Sequence, residues 1–323
     1  MSTTRRAALL GAGSLLAAPA VVLAQPNWPE RPITLVNPYP PGGSTDFSTR
    51  LIAARMEAAL GQSIVVEPRP GAGTAVANAH VAAQRPDGYT LLMGTTSLAV
   101  LPALQPASQP RDPIAAFTPC GTATQSYFVL HVHPDLPVRN TAELIAHAKA
   151  NPGKLSWGSS GTGAINHMSF ELFRARAQID AVHVPYRGGA PALIDLQAGR
   201  IQAMFAATQE ARPSIAAGKT RGIAVTGPRR LAALPDLPPI ADVLPGYATV
   251  FWQGIFAPAG TPAAIVARIE AALKAATADA GVIARLASGG IEPWPGDAAL
   301  LRTTLTRDVE TWTRIIREGN IRA

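Results

Sequence analysis

Short apolar runs rich in β-branched residues alternate with helical patterns along almost the whole chain, and glycine- or proline-rich loops lie between them. Few folds accommodate such alternation, which argues for an α/β architecture with mostly parallel sheets. The run 33–36 predicts a strand, and a helix follows over about 45–60. On it Phe47, Leu51, Ala54 and Ala58 share one face and Gly61 is the terminator. Strands are expected over 64–66 and 89–93, with a helix over 74–83 between them. A less regular, proline-bearing stretch covers 101–121. The alternation resumes with strands over 127–132, 155–157, 182–184, 201–205 and 222–225, and helices over 141–150, after Gly163 and over 190–198. Two amphipathic helices close the chain. One carries Thr261, Pro262, Ile265, Ile269 and Leu273; the other carries Leu305, Val309, Trp312 and Ile316.

With 323 residues the chain exceeds the size at which a single core stops growing, roughly 250–300 residues, so two domains are expected. A hydrophobic fraction of 47% excludes intrinsic disorder. The net charge of +7 comes from scattered arginines with no basic run and no aromatic interleaving, which argues against nucleic-acid binding. Cys120 is the one cysteine, so an intrachain disulfide and a cysteine-based zinc cluster are both excluded.

Arg5-Arg6 precedes an uncharged segment, 7–24, that ends in Val22-Leu23-Ala24. A positive start, an apolar middle and a small-residue exit predict a secretory signal over 1–24, cleaved near Ala24. The paired arginines also suit the twin-arginine route. An uncleaved anchor is disfavoured by Gly11, Gly13, Ser14 and Pro19.

No catalytic constellation emerges. Gly158-Ser159-Ser160-Gly161-Thr162 lacks the last glycine of a nucleophile elbow. Gly218-Lys219-Thr220 lacks the upstream glycine of a phosphate-binding loop, and the glycine pairs at 71/73 and 161/163 lack the third member of a dinucleotide fingerprint. His131 and His133 could share one strand face, but Pro134 ends the strand, so no metal site and no cofactor are expected. Two glycine-rich strand-to-helix loops do stand out, at 38–46 (PYPPGGSTD) and 158–167 (GSSGTGAINH). Exposed main-chain N–H groups, the hydroxyls of Ser44, Thr45, Ser160 and Thr162, and helix N-termini would together bind an anion without a cationic side chain. In open α/β sheets ligands sit at the carboxyl ends of strands, where such loops lie.

In order and spacing, the segments RPITLVNPYPPGGSTD (31–46), RPGAG (69–73), RPDGYTLLMGTTS (85–97), GSSGTGAINHMSFELF (158–173), VPYRGGAPALIDLQAGRIQAMF (184–205) and FWQGIFAPAGTP (251–262) resemble the solute receptors of tripartite tricarboxylate transport systems, the Bug extracytoplasmic receptors. The resemblance spans about 28–317. It implies a periplasmic-binding-protein fold of the second type, two lobes around a cleft that closes like a flytrap. Lobe 1 would comprise 25–122 and 250–323, lobe 2 would comprise 123–249, and the crossings would lie near 121–127 and 246–252. It also implies capture of a small organic carboxylate, with Tyr39, Gly43, Ser44, Thr45 and Asp46 in the first ligand loop. Ser160, Gly161, Thr162, Gly163 and His167 would form the second, and Thr95 and Thr96 would end a strand facing the same cleft. Asp46 and His167 would set loop and helix geometry.

Two departures stand out. Pro68 replaces an asparagine that many relatives carry, and Ala206-Ala207-Thr208 stands where an acidic residue is common. The missing carboxylate at Ala206 argues for a ligand without an amino group. The implied protein is a periplasmic monomer that delivers its ligand to integral membrane subunits. Two alternatives are a receptor coupled to a sensor kinase and an exported hydrolase using Ser160 with His167.

Overall fold

The computed structural model describes residues 28–319, 321 and 322, so the secretory signal expected over 1–24 lies outside the described residues. The chain begins β1 (Ile33–Asn37), α1 (Ser44–Leu60), β2 (Ile64–Pro68), α2 (Ala75–Ala82), β3 (Thr90–Thr95), α3 (Ser97–Leu104), α4 (Pro113–Ala116) and β4 (Phe117–Ser126). It continues with β5 (Phe128–Val132), α5 (Thr141–Ala150), β6 (Ser156–Ser159), α6 (Ile165–Ala177), β7 (Val182–Pro185), α7 (Gly189–Gln197), β8 (Ala203–Ala207), α8 (Thr208–Ala216) and β9 (Arg221–Val225). It ends with β10 (Phe251–Pro258), α9 (Ala263–Ala278), α10 (Ala280–Ser288), β11 (Ile291–Gly296) and α11 (Ala298–Glu318).

These strands build two sheets, ordered β11-β4-β10-β3-β1-β2 and β7-β6-β8-β5-β9, each covered by helices as one lobe of a two-lobe α/β fold. Both sheets are mixed rather than mostly parallel. β1 runs parallel to β2 and β3, whereas β10 is antiparallel to β3 and β4; β6 runs parallel to β7 and β8, whereas β5 is antiparallel to β8 and β9. The reason is topological. β5 and β10 each begin where the chain has just crossed from the other lobe, so they start at the cleft, where β1, β6 and β8 end.

Local chemistry explains most of the elements. Gly61 ends α1 in the left-handed conformation, and its N–H bonds to Glu57 O. Asp279 and Asp297 cap α10 and α11 through side-chain bonds to Val282 N and Leu300 N. Under the second sheet, Trp157 of β6 packs on Phe170, Phe173 and Phe205 with ring centroids 5.0, 5.4 and 5.2 Å away. That aromatic block fixes the position of α6 and of the loop before it. Three elements depart from the sequence pattern. α3 forms despite Pro102, α8 forms despite Pro213, and β11 forms at a sheet edge despite Pro293 and Pro295. Pro102 and Pro213 lie past the first turn, where a proline removes an intrahelical hydrogen bond, so neither short helix is signalled by its sequence. Edge strands tolerate proline, which likewise weakens the signal for β11.

Candidate functional site

The carboxyl ends of β1, β6 and β8 and the first residues of β5 and β10 converge on a cavity of about 50 Å³ between the lobes. Phe128 and Phe251, the first residues after the two crossings, line it with ring centroids 5.7 Å apart. A second chamber of about 230 Å³ adjoins it, sharing Tyr39, Pro40, Ser160 and Gly188 in its wall.

The first loop presents its backbone to this cavity. Asp46 accepts from Asn37 Nδ2 (3.3 Å), Gly42 N (3.1 Å) and Arg50 Nε (3.0 Å), so its carboxylate ties the end of β1 to the start of α1. Gly43 is the N-cap of α1 and offers no side chain to the orphan N–H groups of the first turn. Ser44 N donates instead to Glu210 Oε1, 3.2 Å away on α8 of the other lobe. The buried Ser44 hydroxyl lines the cavity without a hydrogen-bond partner, and Thr45 lies beside it. Tyr39 lines both chambers and shares a 3.2 Å hydrogen bond with Ser97 Oγ. Burial raises its phenol pKa, which keeps it neutral.

The second loop spends its polar groups on itself. Ser160 N (3.3 Å) and Ser160 Oγ (2.8 Å) both donate to Asn166 Oδ1, while Asn166 Nδ2 donates to Phe205 O. Gly161 N donates to Ser159 Oγ, and Gly163 N donates to His167 Nδ1 at 3.2 Å. Gly161 and Gly163 take φ of 128° and 88°, which suit glycine. Behind the loop His167 stacks on His183 with centroids 3.9 Å apart, and Ser159 Oγ lies 2.6 Å from His183 Nε2. Burial, then the neighbouring His167, pushes His183 down to about 3. The expectation of two matching amide cradles is therefore corrected: the second loop offers the cleft mainly Ser160 and Asn166, because its own side chains consume the N–H groups.

The remaining expected residues fall in several places. Gly161 and Thr162 line the second chamber, and Gly163 packs against Leu101. Thr95 and Thr96 are buried and line neither chamber. Thr96 Oγ1 donates to Val250 O and accepts from Trp252 N, which staples the end of β3 to the start of β10. Ala206 faces an apolar cluster with Val129, Ala192 and Leu196, whereas its neighbour Ala207 reaches the cavity, as strand alternation requires. The missing carboxylate inferred at 206 is supplied by Glu210, which removes that argument against an amino group. Glu210 went unnoticed because Pro213 hides α8. The helix places the Glu210 carboxylate where Gly189 leaves room for it, since a Cβ at 189 would lie 2.3 Å from Glu210 Oε2. Burial raises the pKa of Glu210, and the Ser44 N–H bond opposes that rise.

Neither serine pairing suits nucleophilic catalysis. Ser160 and His167 bond to Asn166 and Gly163 rather than to each other. Ser159 is close to a histidine but completely buried. His131, also fully buried, bonds through Nδ1 to Thr220 Oγ1 and is pushed down to about 3 by burial. Burial likewise pushes the Cys120 thiol up to about 12, so it is inert.

Residues 48–321 match the family described as tripartite tricarboxylate transporter family receptor. The chain is 37% identical over 301 residues to the UPF0065 protein in the tcbD-tcbE intergenic region of Pseudomonas sp. strain P51, covering 92% of this chain and 88% of the relative. It is 30% identical over 321 residues to Protein BugT of Bordetella pertussis, covering 98% of each. Among solved structures, Rpa4515 of R. palustris with adipate superposes with a TM-score of 0.86 at 34% identity, covering 91% of this chain and 98% of that one. MatC of Rhodopseudomonas palustris with bound malate gives 0.85 at 31% identity, covering 90% and 100%. The periplasmic binding protein BugD gives 0.86 at 30% identity, covering 91% and 99%. With two mixed sheets facing each other across a cleft and this degree of kinship, the chain belongs to the tripartite tricarboxylate transporter receptor family, a family of solute-binding receptors.

Proposed function

We propose that this protein captures a small dicarboxylate between its lobes and delivers it to the integral membrane subunits of a tripartite tricarboxylate-type transporter. The observation that carries this reading is the N-terminus of α1. Its N-cap, Gly43, supplies no capping side chain, Ser44 N is met by Glu210 of the other lobe, a buried Ser44 hydroxyl beside it is unpartnered, and all border a cavity closed from the other lobe by Ser160 and Asn166. Such a terminus favours a carboxylate through its N–H groups and its dipole. The adipate and malate bound by the two R. palustris relatives are ligands of this class. Arg187 lines the adjoining chamber and takes part in none of the ion pairs among the described residues, so a second carboxylate has a cation within its reach.

Binding works by differential stabilisation. A ligand that touches Ser44 on one lobe and Ser160 on the other stabilises the closed state more than the open one. We assign as moving bodies the first-sheet lobe, through Ser126 and again from Phe251, and the second-sheet lobe, 127–250, pivoting at the crossings beside Phe128 and Phe251. The expected boundary at 122 moves to 126 because β4 stays paired with β10 and β11 as far as Ser126. Export would remove the first 24 residues, and mass spectrometry of the exported protein should show a chain starting at Gln25.

Isothermal titration with C4 to C6 dicarboxylates, their monocarboxylate counterparts and amino acids tests the ligand class. Binding of the dicarboxylates without turnover is expected, and it should be lost on bulky substitution of Gly43 or Gly161. A screen in which only amino acids bind would overturn it.

A further inference from the structure

We propose that Glu210 takes up a proton from solvent when the ligand binds, and that it holds the ligand carboxylate as a neutral hydrogen-bond donor. This rests on the dicarboxylate reading above and adds a proton to it. The geometry sets the problem. In the closed cleft the Glu210 carboxylate already accepts from Ser44 N, the amide best placed for the ligand carboxylate. Its carboxylate sits against two glycines at the cavity wall: a Cβ at Gly189 would overlap Oε2, and one at Gly43 would lie 3.3 Å from Oε1.

The surroundings offer no countercharge. On the β1–α1 loop the facing titratable group is Tyr39, a buried phenol. On α1 Asp46 is already paired with Arg50, and on α8 Arg212 bonds away to Ser288 O. Arg187, just before α7, lines the other chamber. None of the ion pairs among the described residues reaches Glu210. Two carboxylates within hydrogen-bond distance in such a site cannot both stay ionised. One proton settles the conflict. The ligand takes the Ser44 N–H, and Glu210, now a carboxylic acid, donates its O–H to the ligand. No bond within the ligand is made or broken.

Titration calorimetry with adipate in two buffers of different ionisation enthalpy, from pH 6 to 9, tests this. Uptake approaching one proton per adipate is expected. Affinity should fall by up to about tenfold per pH unit above the pKa of Glu210 in the empty protein. Glu210→Gln, which keeps the shape and cannot ionise, should bind adipate with a flat pH profile. Wild-type binding with no proton uptake and a flat profile overturns the proposal while leaving the receptor reading intact, and so does a Glu210→Gln variant that keeps the wild-type slope. If none of the dicarboxylates binds at any pH, the receptor reading falls and the proposal falls with it.

Discussion

The two glycine-rich loops look alike in sequence and behave differently in the folded chain. The first holds its shape with one carboxylate, Asp46, and leaves the front of α1 facing the cleft. The second is knotted to itself through Asn166, His167 and Ser159, and its glycines serve the turn rather than the ligand. The difference teaches that a glycine-rich strand-to-helix loop becomes an anion site only when its amides are not already claimed. Among the described residues, the claimant from outside the first loop is Glu210, which belongs to the opposite lobe.

The contrast can be broken most forcefully beneath the second loop. Trp157→Ala removes the aromatic block under it and should cost about 3–5 kcal/mol of stability by urea unfolding. An equal loss with binding untouched would show that the loop keeps its form without the block. Next comes Asn166→Ala, which strands Ser160 N and Phe205 O. A loss of about 1–3 kcal/mol is expected, with ligand affinity following it down. If affinity fell while the melting temperature held, Asn166 itself would be a direct ligand contact rather than a support for Ser160.

Acid should weaken the second lobe first, because it holds His131, fully buried, and His183, half-buried, both pushed down by burial. His131 and His183 are held near 3 when folded and return to about 6.5 when unfolded. The unfolded chain thus binds more protons below pH 6.5. Stability present above that pH should fall by about 1.4 kcal/mol per pH unit for each histidine on the way to pH 3. Equal unfolding free energies at pH 7 and pH 5 would refute this. The smallest effect belongs to the first loop. Ser44→Ala should leave the melting temperature unchanged, since that hydroxyl has no partner in the empty cleft, yet it should weaken dicarboxylate binding by about 0.5–1.5 kcal/mol. A drop in stability without a change in affinity would reverse the roles assigned to the two loops.

Much of the fold was legible beforehand. The strand runs at 33–36, 64–66 and 89–93 and the helix closed by Gly61 all sit where periodicity and capping predict them. The shortfalls cluster at proline. Pro102, Pro213 and the pair 293/295 mask α3, α8 and β11, and α8 carries the carboxylate that faces the cleft. The site was half legible: Tyr39, Ser44, Thr45 and Ser160 reach the cavity, while Thr95, Thr96 and Ala206 do not line it. Which way a threonine at a strand end points, or which of two adjacent alanines faces the cleft, depends on register with a neighbouring strand that is remote in sequence.

From its residues alone, the chain determined an alternating α/β fold and the two glycine-bearing turns, because periodicity, capping and turn chemistry are local. Only the tertiary structure decided which groups claim the amides of each turn and that Glu210 meets Ser44 across 166 positions of sequence. Hydrogen-bond competition and desolvation act between groups that are brought together only when the two lobes pack.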